Sequence, residues 1–386
     1  MDSFLDIYSA SLNKTGEELC GDKVKVIKTP HKIIAVLSDG LGSGVKANIL
    51  ATLTTEIIVT MLRADVPLDE VMRTVIGTLP ICKVRKVAYA TFTAIEVNQH
   101  TNAFKVVNFD NPPPIYLKSG RRVSLESAET RVMDRLIRIS EGHLTHGDFL
   151  GIISDGVLHA GLGTVWNFGW GWENVAKHLE GAFRRCGHGA KPLVQEVIHK
   201  TRALYADAIG DDATLIGLYA RRSQRLMILT GPPLDSADDM IQVKRLFDFE
   251  GRRVVCGGTT GNIVAEYLGE RIDTDLVTLR PDVPPIGKLK GIDLLTEGII
   301  TLSKTLDHLR GCRGEDQLLP SDRNGATLLA RELLRADSIF FLVGQKINEF
   351  YQSPLLPGNL SLRKKLIEEI AQVLIEYHKD IQIEYC

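Results

Sequence analysis

The feature that most constrains this chain is a buried strand that ends in an acidic glycine turn, and the chain contains it twice. The apolar run 33–37 predicts a buried strand that stops at Ser38-Asp39-Gly40, before a glycine-rich turn and a helix. The run 149–153 leads in the same way into Ser154-Asp155-Gly156. Asp-Gly ends many strands as a plain turn. A carboxylate beside a sterically open glycine carbonyl is also a good ligand for a hard cation.

Two more acidic positions accompany predicted strands. The cluster Asp211-Asp212 leads directly into a strand predicted over 215–219, and Asp22 stands just before one predicted over 24–28. Asp22 is open to two interpretations, a solvated acidic loop or a carboxylate that faces the same space as Asp39. Aspartates at one edge of packed sheets repel one another unless cations neutralise them. Oxygen ligands without histidine select Mg²⁺ or Mn²⁺ over zinc, and two such ions about 3.5–4 Å apart can activate a water that attacks phosphorus.

Composition excludes several other classes of protein. The 386 residues, 44% hydrophobic and 24% charged, are typical of a globular protein of two domains. A net charge of −2 indicates no general surface for nucleic acid or membrane. The acidic amino terminus does not resemble a signal peptide, and no apolar run approaches the length of a membrane span. The scattered cysteines lack a C-x-x-C pair, which favours reduced thiols and a cytoplasmic location.

The basic, polar link around Arg221-Arg222 predicts a domain boundary, with one domain over 1–221 and a second over 225–386. The second part alternates strands and helices, with a helix predicted over 291–309, and is therefore expected to be a small α/β domain. Its glycine turn precedes a helix whose free amides are suited to an anion. That turn is either a plain strand-to-helix connection or an anion site made by Gly257, Gly258, Thr259 and Thr260.

Some other features remain ambiguous from the residues alone. The segment 161–172, rich in glycine and tryptophan, is either a mobile flap or docking surface, or a connection whose tryptophans pack on the core. His143 and His146 are potential catalytic acids, although a histidine in a turn is more often only solvated. Cys186-Gly187-His188 has a metal-like spacing but no second pair nearby, and is interpreted as a loop.

The acidic motifs resemble those of the metal-dependent phosphatases of the type 2C superfamily, in particular the stage II sporulation protein E branch. Cys20-Gly21-Asp22 is similar to the first motif and Leu37–Gly44 to the second. Gly147–Val157 is similar to the third and Asp211–Thr214 to the last, so that the resemblance covers about residues 4–220. One departure is Asp110-Asn111-Pro112, where relatives commonly have glycine-histidine-proline.

The resemblance implies an α+β fold, a four-layer α-β-β-α sandwich of two antiparallel sheets, followed here by the smaller α/β domain. It implies two Mn²⁺ or Mg²⁺ ions, with Asp39 and Asp155 as the catalytic carboxylates. Asp39 would bridge the ions, Asp155 and Asp211 would complete one site, and Asp22 and the Gly40 carbonyl the other. Asp212 is expected not to bind the ions directly but to contact the residues that do.

The resemblance also implies a function, hydrolysis of phosphoserine or phosphothreonine on a regulatory protein, such as an anti-sigma-factor antagonist. An alternative is a vestigial phosphatase fold that acts as a regulatory binding module. Residues 225–386 are hypothesised to bind a small anion or a partner and to bias the 161–172 loop, or else to serve only in stability or dimerisation. The sequence leaves a homodimer open.

Overall fold

The computed structural model describes residues 3–42, 44–78, 90–133, 135–163, 167–186, 189–206, 208–346 and 362–386. It divides into two compact units, Met1–Arg222 and Ser223–Cys386. Several features of the sequence lie outside the described residues: Cys82, Trp166 of the 161–172 segment, and the Gly187-His188 part of the cysteine motif.

Unit 1 is built from two antiparallel sheets and flanking helices. Its strands are β1 (Ser3–Leu12), β2 (Asp22–Lys28), β3 (Lys32–Gly40), β4 (Ala90–Asn98), β5 (Ala103–Phe109), β6 (Ile115–Lys118), β7 (Arg121–Val123), β8 (Ala128–Val132), β9 (Arg135–His143), β10 (Phe149–Ile153) and β11 (Ala213–Arg222). Its helices are α1 (Gly44–Arg63), α2 (Leu68–Thr78), α3 (Asp155–His159), α4 (Trp172–Arg185) and α5 (Ala190–Leu204). Sheet 1 has the strand order β2-β3-β4-β5-β9-β8, and sheet 2 has the order β1-β11-β10-β6-β7.

Alternating side chains of the central strands create the four layers. In β3, Ile34 and Val36 pack in the cluster that contains α1 and α2. The intervening Ile33, Ala35 and Leu37 pack in a second cluster with β10 and β11 of sheet 2. Helices α4 and α5 pack on the outer face of sheet 2. Because β3 is covered on both faces, it reads as a continuous apolar run, and the predicted α-β-β-α sandwich is confirmed.

Helix α1 meets the length and apolarity of a membrane span, in contrast to the expectation from the sequence that no segment would. Its buried residues include Ala47, Leu50, Ile58 and Val59, which face the core of unit 1. The apolar character of α1 is therefore accounted for in part by packing on sheet 1, as in core helices of globular proteins.

Unit 2 contains a mixed sheet with a parallel centre. Its strands are β12 (Arg225–Thr230), β13 (Arg252–Cys256), β14 (Asp273–Asp275), β15 (Ile286–Lys288), β16 (Leu294–Thr296), β17 (Ser338–Val343) and β18 (Asp380–Tyr385). Its helices are α6 (Asp239–Asp248), α7 (Gly258–Leu268), α8 (Ile299–Cys312), α9 (Gly325–Arg335) and α10 (Leu362–Glu376). The order is β14-β15-β16-β13-β12-β17-β18, and β16, β13, β12, β17 and β18 run parallel. This arrangement is the predicted small α/β layer.

The helix predicted over 291–309 is wrong in its first part. Residues 294–296 form β16, which pairs with β13, and α8 begins only at Ile299. Leu294, Leu295 and Thr296 are buried inside the sheet. A short apolar run of this kind fits a buried strand and a buried helix equally well by periodicity, and Gly298 marks the actual break.

We expect Asp148 to be a major determinant of the stability of unit 1. Its buried carboxylate accepts hydrogen bonds from Tyr116 Oη (3.1 Å), Ser119 N (3.2 Å) and both Thr145 N and Oγ1 (2.8 and 2.9 Å). A hydrogen bond to a charged group contributes about 1.5–3 kcal/mol, so Asp148→Ala should lower the free energy of unfolding by about 3 kcal/mol or more in urea titrations. Tyr116→Phe, which removes one donor, is the control; an equal loss in both variants would contradict this role.

Candidate metal centre

Asp22 and Asp39 come together because β2 and β3 pair in antiparallel register. Asp22 begins β2, Asp39 lies next to the end of β3, and the two are direct cross-strand partners. Asp22 is buried, with 4% of its surface exposed, while Asp39 is half-buried. The loop reading of Asp22 is therefore wrong, and its carboxylate lies beside that of Asp39 at one end of sheet 1.

Sheet 2 brings Asp155 and Asp211 to the same place. Asp155 follows β10 and opens α3, and Asp211 stands just before β11, which pairs with β10. Ser154 ties the sheets together at this end, because its Oγ donates to Asp22 Oδ2 (2.7 Å) and accepts from Thr214 N (2.8 Å). The structure thus gathers all four predicted aspartates in one cluster, and each of Asp22, Asp155 and Asp211 acts electrostatically on Asp39.

The cluster concentrates negative charge in a poorly solvated space. Burial, followed by the charges of Asp22, Asp155 and Asp211, raises the pKa of Asp39 to about 9. Burial likewise raises the pKa of Asp22 to about 7, although hydrogen bonds from Ser154 and Thr214 oppose the shift. Burial and the charge of Asp155 raise the pKa of Asp211. Fully ionised carboxylates at these positions require a compensating positive charge.

Asp212 holds the first acidic loop through hydrogen bonds to its backbone. Its carboxylate accepts hydrogen bonds from Gly21 N (2.8 Å) and Lys14 N (3.0 Å). Gly40 and Gly156 allow close packing around the aspartates, since a Cβ would lie 2.1 Å from Ala47 O on the former and 2.0 Å from Asp212 O on the latter. The supporting role of Asp212, outside the direct metal ligands, stays a prediction.

His159 lies beside Asp155 and Asp211, although oxygen ligands without histidine were predicted from the sequence. It lies one helical turn after Asp155 in α3, with Nδ1 4.0 Å from Asp155 Oδ2. Ligand atoms of Asp155, His159 and Asp211 all lie within 4.8 Å of one another. The signal in the sequence was the i, i+4 spacing from Asp155 to His159, which places both side chains on one face of a helix.

The other ambiguous residues lie elsewhere. His143 ends β9 and His146 precedes β10, so both lie at the end of β10 opposite to Asp155. In the 161–172 segment, Trp170 is 4% exposed and belongs to the core cluster of α4 and α5, which supports the packing interpretation for this tryptophan.

The glycine turn of unit 2 opens α7, as predicted. The carboxylate of Glu297 lies near it, with Oε1 3.1 Å from where a Cβ on Gly258 would stand. The Thr260 hydroxyl is buried and has no hydrogen-bond partner among the described residues. A carboxylate near a helix start competes with an anion for the same amides, and the anion site stays a prediction.

The donors of the cluster fit divalent cations. Asp22 Oδ1 is buried and has no hydrogen-bond partner in the described part of the chain, although a carboxylate oxygen in such a position needs one. Asp39, Asp155 and Asp211 remain partly accessible. Carboxylate oxygens are the ligands preferred by Mg²⁺ and Mn²⁺.

A four-layer sandwich with acidic strand ends between its sheets is the fold of the type 2C phosphatases. The solved phosphatase domain of SpoIIE from Bacillus subtilis, with a fragment of its regulatory domain, matches with 15% identity and a TM-score of 0.50. The match covers 57% of this chain and 65% of that chain, which is under two thirds of its length. The RsbU and RsbW domains of a Mycobacterium tuberculosis protein match with 16% identity and a TM-score of 0.46, over 62% of this chain and 67% of that one.

The family profile named stage II sporulation protein E (SpoIIE) matches residues 29–221, half of the chain. The chain therefore belongs to this family of metal-dependent phosphatases. No curated protein gives a significant match.

The raised carboxyl pKa values predict an unusual pH dependence of stability. Because the pKa of Asp39 is about 9 in the folded chain against an ordinary 3.8, its contribution to stability is present at low pH and is lost as the pH rises towards 9. In a chelator, the melting temperature should therefore fall with rising pH. Added Mn²⁺ should raise it most at high pH, since binding displaces protons.

Asp39→Asn should flatten the pH dependence in chelator and remove most of the Mn²⁺ effect. Asp69→Asn, on the exposed face of α2, is the control and should behave as the wild type. A wild-type melting temperature that rises with pH in chelator would contradict the charge conflict.

His159 provides a second test that needs no activity measurement. Pulsed electron paramagnetic resonance of Mn²⁺ bound to the wild type should show coupling to an imidazole nitrogen, and His159→Gln should remove it. His143→Gln is the matched control, because His143 lies at the opposite end of β10. A wild-type spectrum without nitrogen coupling would exclude His159 as a ligand.

Proposed function

We propose that this chain is a protein phosphatase that removes phosphate from serine or threonine with the help of two Mn²⁺ or Mg²⁺ ions. The observation that supports the proposal most is that Asp22, Asp39, Asp155 and Asp211 converge at one end of both sheets. Burial at this position raises the pKa of Asp39. Membership in the SpoIIE family supports the same chemistry.

The roles of the residues follow from their positions. Asp39 pairs with Asp22 on its own sheet and interacts electrostatically with Asp155 and Asp211 on the other, so its carboxylate would contribute to both metal sites. Asp155, Asp211 and His159, whose ligand atoms lie close together, would hold one ion. Asp22 and the Gly40 carbonyl would hold the other. When bound, the ions supply an acidified water and neutralise the phosphoryl oxygens.

The surrounding residues keep the donors in place during turnover. Ser154 holds Asp22 by a hydrogen bond, and Asp212 holds the backbone before Asp22 through Gly21 N. The nitrogen of His159 would favour Mn²⁺ over Mg²⁺, since imidazole suits transition metals better than Mg²⁺.

Family membership supports a proposal for the class of substrate, and the cysteines support one for the location. We infer a phosphorylated regulatory protein, of the kind represented by anti-sigma-factor antagonists, and a cytoplasmic location. The cysteines that the structure describes are free thiols, namely Cys20, Cys186, Cys256, Cys312 and Cys386, in keeping with a reducing compartment.

The test is hydrolysis of p-nitrophenyl phosphate and of a phosphoserine peptide with Mn²⁺, and again with chelator. Asp39→Asn and Asp155→Asn should each lower kcat by about a hundredfold or more, because each removes a group that stabilises transition-state charge. Asp212→Asn should cost less, since the carboxylate of Asp212 accepts hydrogen bonds from the backbone at Lys14 N and Gly21 N.

Two results would contradict the proposal. Turnover that persists in chelator would exclude the metal mechanism. Tight Mn²⁺ binding without turnover of any phosphoester would favour the alternative, a phosphatase fold that serves only as a binding module.

A further inference from the structure

Unit 1 contains a cavity between its two sheets that the metal centre does not use. Its volume is about 290 Å³, and it is lined by residues of β5 and β9, by the turn before β6, by the segment after β7 and by Trp172. We name it the Asn108 pocket and define it by Val106, Asn108, Asn111, Leu125, Ser140 and Trp172. A cavity of this size lies at the lower end of the ~300–1,000 Å³ range of ligand sites.

The pocket is connected to the metal centre through one residue. Asp39 on β3 pairs with Thr91, and the hydroxyl of Thr91 donates to the side-chain oxygen of Asn111. Two residues farther along β4, Thr93 pairs with Asn108 of the next strand, β5. The polar wall of the pocket therefore continues the row of side chains that begins at the aspartates, so a chain bound at the ions can reach it.

Two asparagines that line the pocket each contain a buried polar atom without a hydrogen-bond partner among the described residues. Asn108 is 4% exposed, and its Nδ2 donates to Thr93 Oγ1 (3.1 Å) and Pro112 O (2.9 Å). A carbonyl can only accept, so this contact fixes the orientation of the amide. Oδ1 of Asn108 and Nδ2 of Asn111, which is 7% exposed, then have no partner among the described residues. Buried polar groups of this kind are normally satisfied.

The walls combine apolar side chains with the serines Ser124, Ser127 and Ser140, and with one arginine at the rim. Val106 is buried, Leu125 is half-buried, and Trp172 is fixed by a hydrogen bond from Nε1 to Pro113 O (2.8 Å). Arg138 reaches the rim, where its Nε lies 3.2 Å from Glu129 Oε1. The acceptor Oδ1 of Asn108 and the donor Nδ2 of Asn111 complement the N–H and C=O of a peptide group. The apolar side chains around them suit a residue with an uncharged side chain.

We propose that the Asn108 pocket binds a residue of the phosphoprotein substrate that lies close in sequence to the phosphorylated residue. The bound residue has an uncharged side chain. Its peptide group, or its side-chain amide, forms hydrogen bonds with Asn108 and Asn111. This inference rests on the proposed phosphatase function and specifies the peptide chemistry that the site selects. Asn108 and Asn111 are specificity residues here and do not contact the reacting phosphate.

The experiment compares a substrate without a peptide with substrates that have one. Full-length protein is assayed with p-nitrophenyl phosphate and with phosphoserine peptides in which single flanking positions carry leucine, glutamine, lysine or glutamate. Leu125→Trp fills the pocket from its rim, in a segment outside the strands. Leu136→Trp is the matched control, since Leu136 is an exposed leucine of β9 that does not line the pocket.

We expect the wild type to prefer leucine or glutamine over lysine and glutamate at one flanking position by about tenfold in kcat/KM. Leu125→Trp should abolish this preference and raise KM for the peptides, while turnover of p-nitrophenyl phosphate stays within about twofold of wild type. Leu136→Trp should keep the preference. Equal behaviour of both variants, or a wild type without any preference, would overturn the inference and leave a pocket that only holds water.

Failure of the proposed function would give a different result. If the wild type hydrolyses no phosphoester with Mn²⁺, the function fails, and the pocket is tested by anisotropy of the same peptides bearing a fluorophore. Binding that Leu125→Trp abolishes and Leu136→Trp retains would uphold the pocket. Absent binding, or equal binding by both variants, would reject it.

Discussion

The mutual repulsion of buried carboxylates is the constraint on which this structure depends. Asp22 and Asp39 face each other across one sheet, and Asp155 and Asp211 approach from the other. Burial and neighbouring charge raise the pKa of Asp39 to about 9, so full ionisation of the cluster is unfavourable near neutral pH. The fold therefore builds an unfavourable charge distribution that bound cations would relieve, so that metal binding would also stabilise the fold.

The same contacts that hold the sheets together also hold the site. Ser154 links Asp22 of sheet 1 to Thr214 of sheet 2, and its neighbour is Asp155. Gly40 and Gly156 let backbone approach backbone where any side chain would collide. The two sheets must therefore pack correctly before the metal-binding carboxylates can come together. These carboxylates lie at strand ends, which are more rigid than a separate loop.

Much of the fold of unit 1 could be predicted because its central strands are covered on both faces and read as unbroken apolar runs, as at Ile33–Leu37. The strands β7 and β8 were missed because they are short and almost wholly exposed, without an apolar alternation to mark them. In unit 2, residues 294–296 fit helix and strand alike, and only the neighbouring β13 decides between them.

Prediction of the site was limited in a similar way. The aspartates could be identified because each adjoins a strand, but the role of Asp212 depends on contacts with Lys14 and Gly21 almost two hundred residues away in sequence. His159 belongs to a helix of only five residues, too short for periodicity to detect. The Asn108 pocket depends on the packing of β5 and β9 with the turn at Asn111, which no local pattern specifies.

The most direct test of the central claim is calorimetric titration of the metal-free chain with Mn²⁺ near neutral pH, in buffers of different ionisation enthalpy. The account predicts two ions bound per chain and a net release of protons, because Asp39 holds a proton that the ions must displace. Binding without proton release, or no binding, would contradict the claim that cations resolve the charge conflict in this cluster.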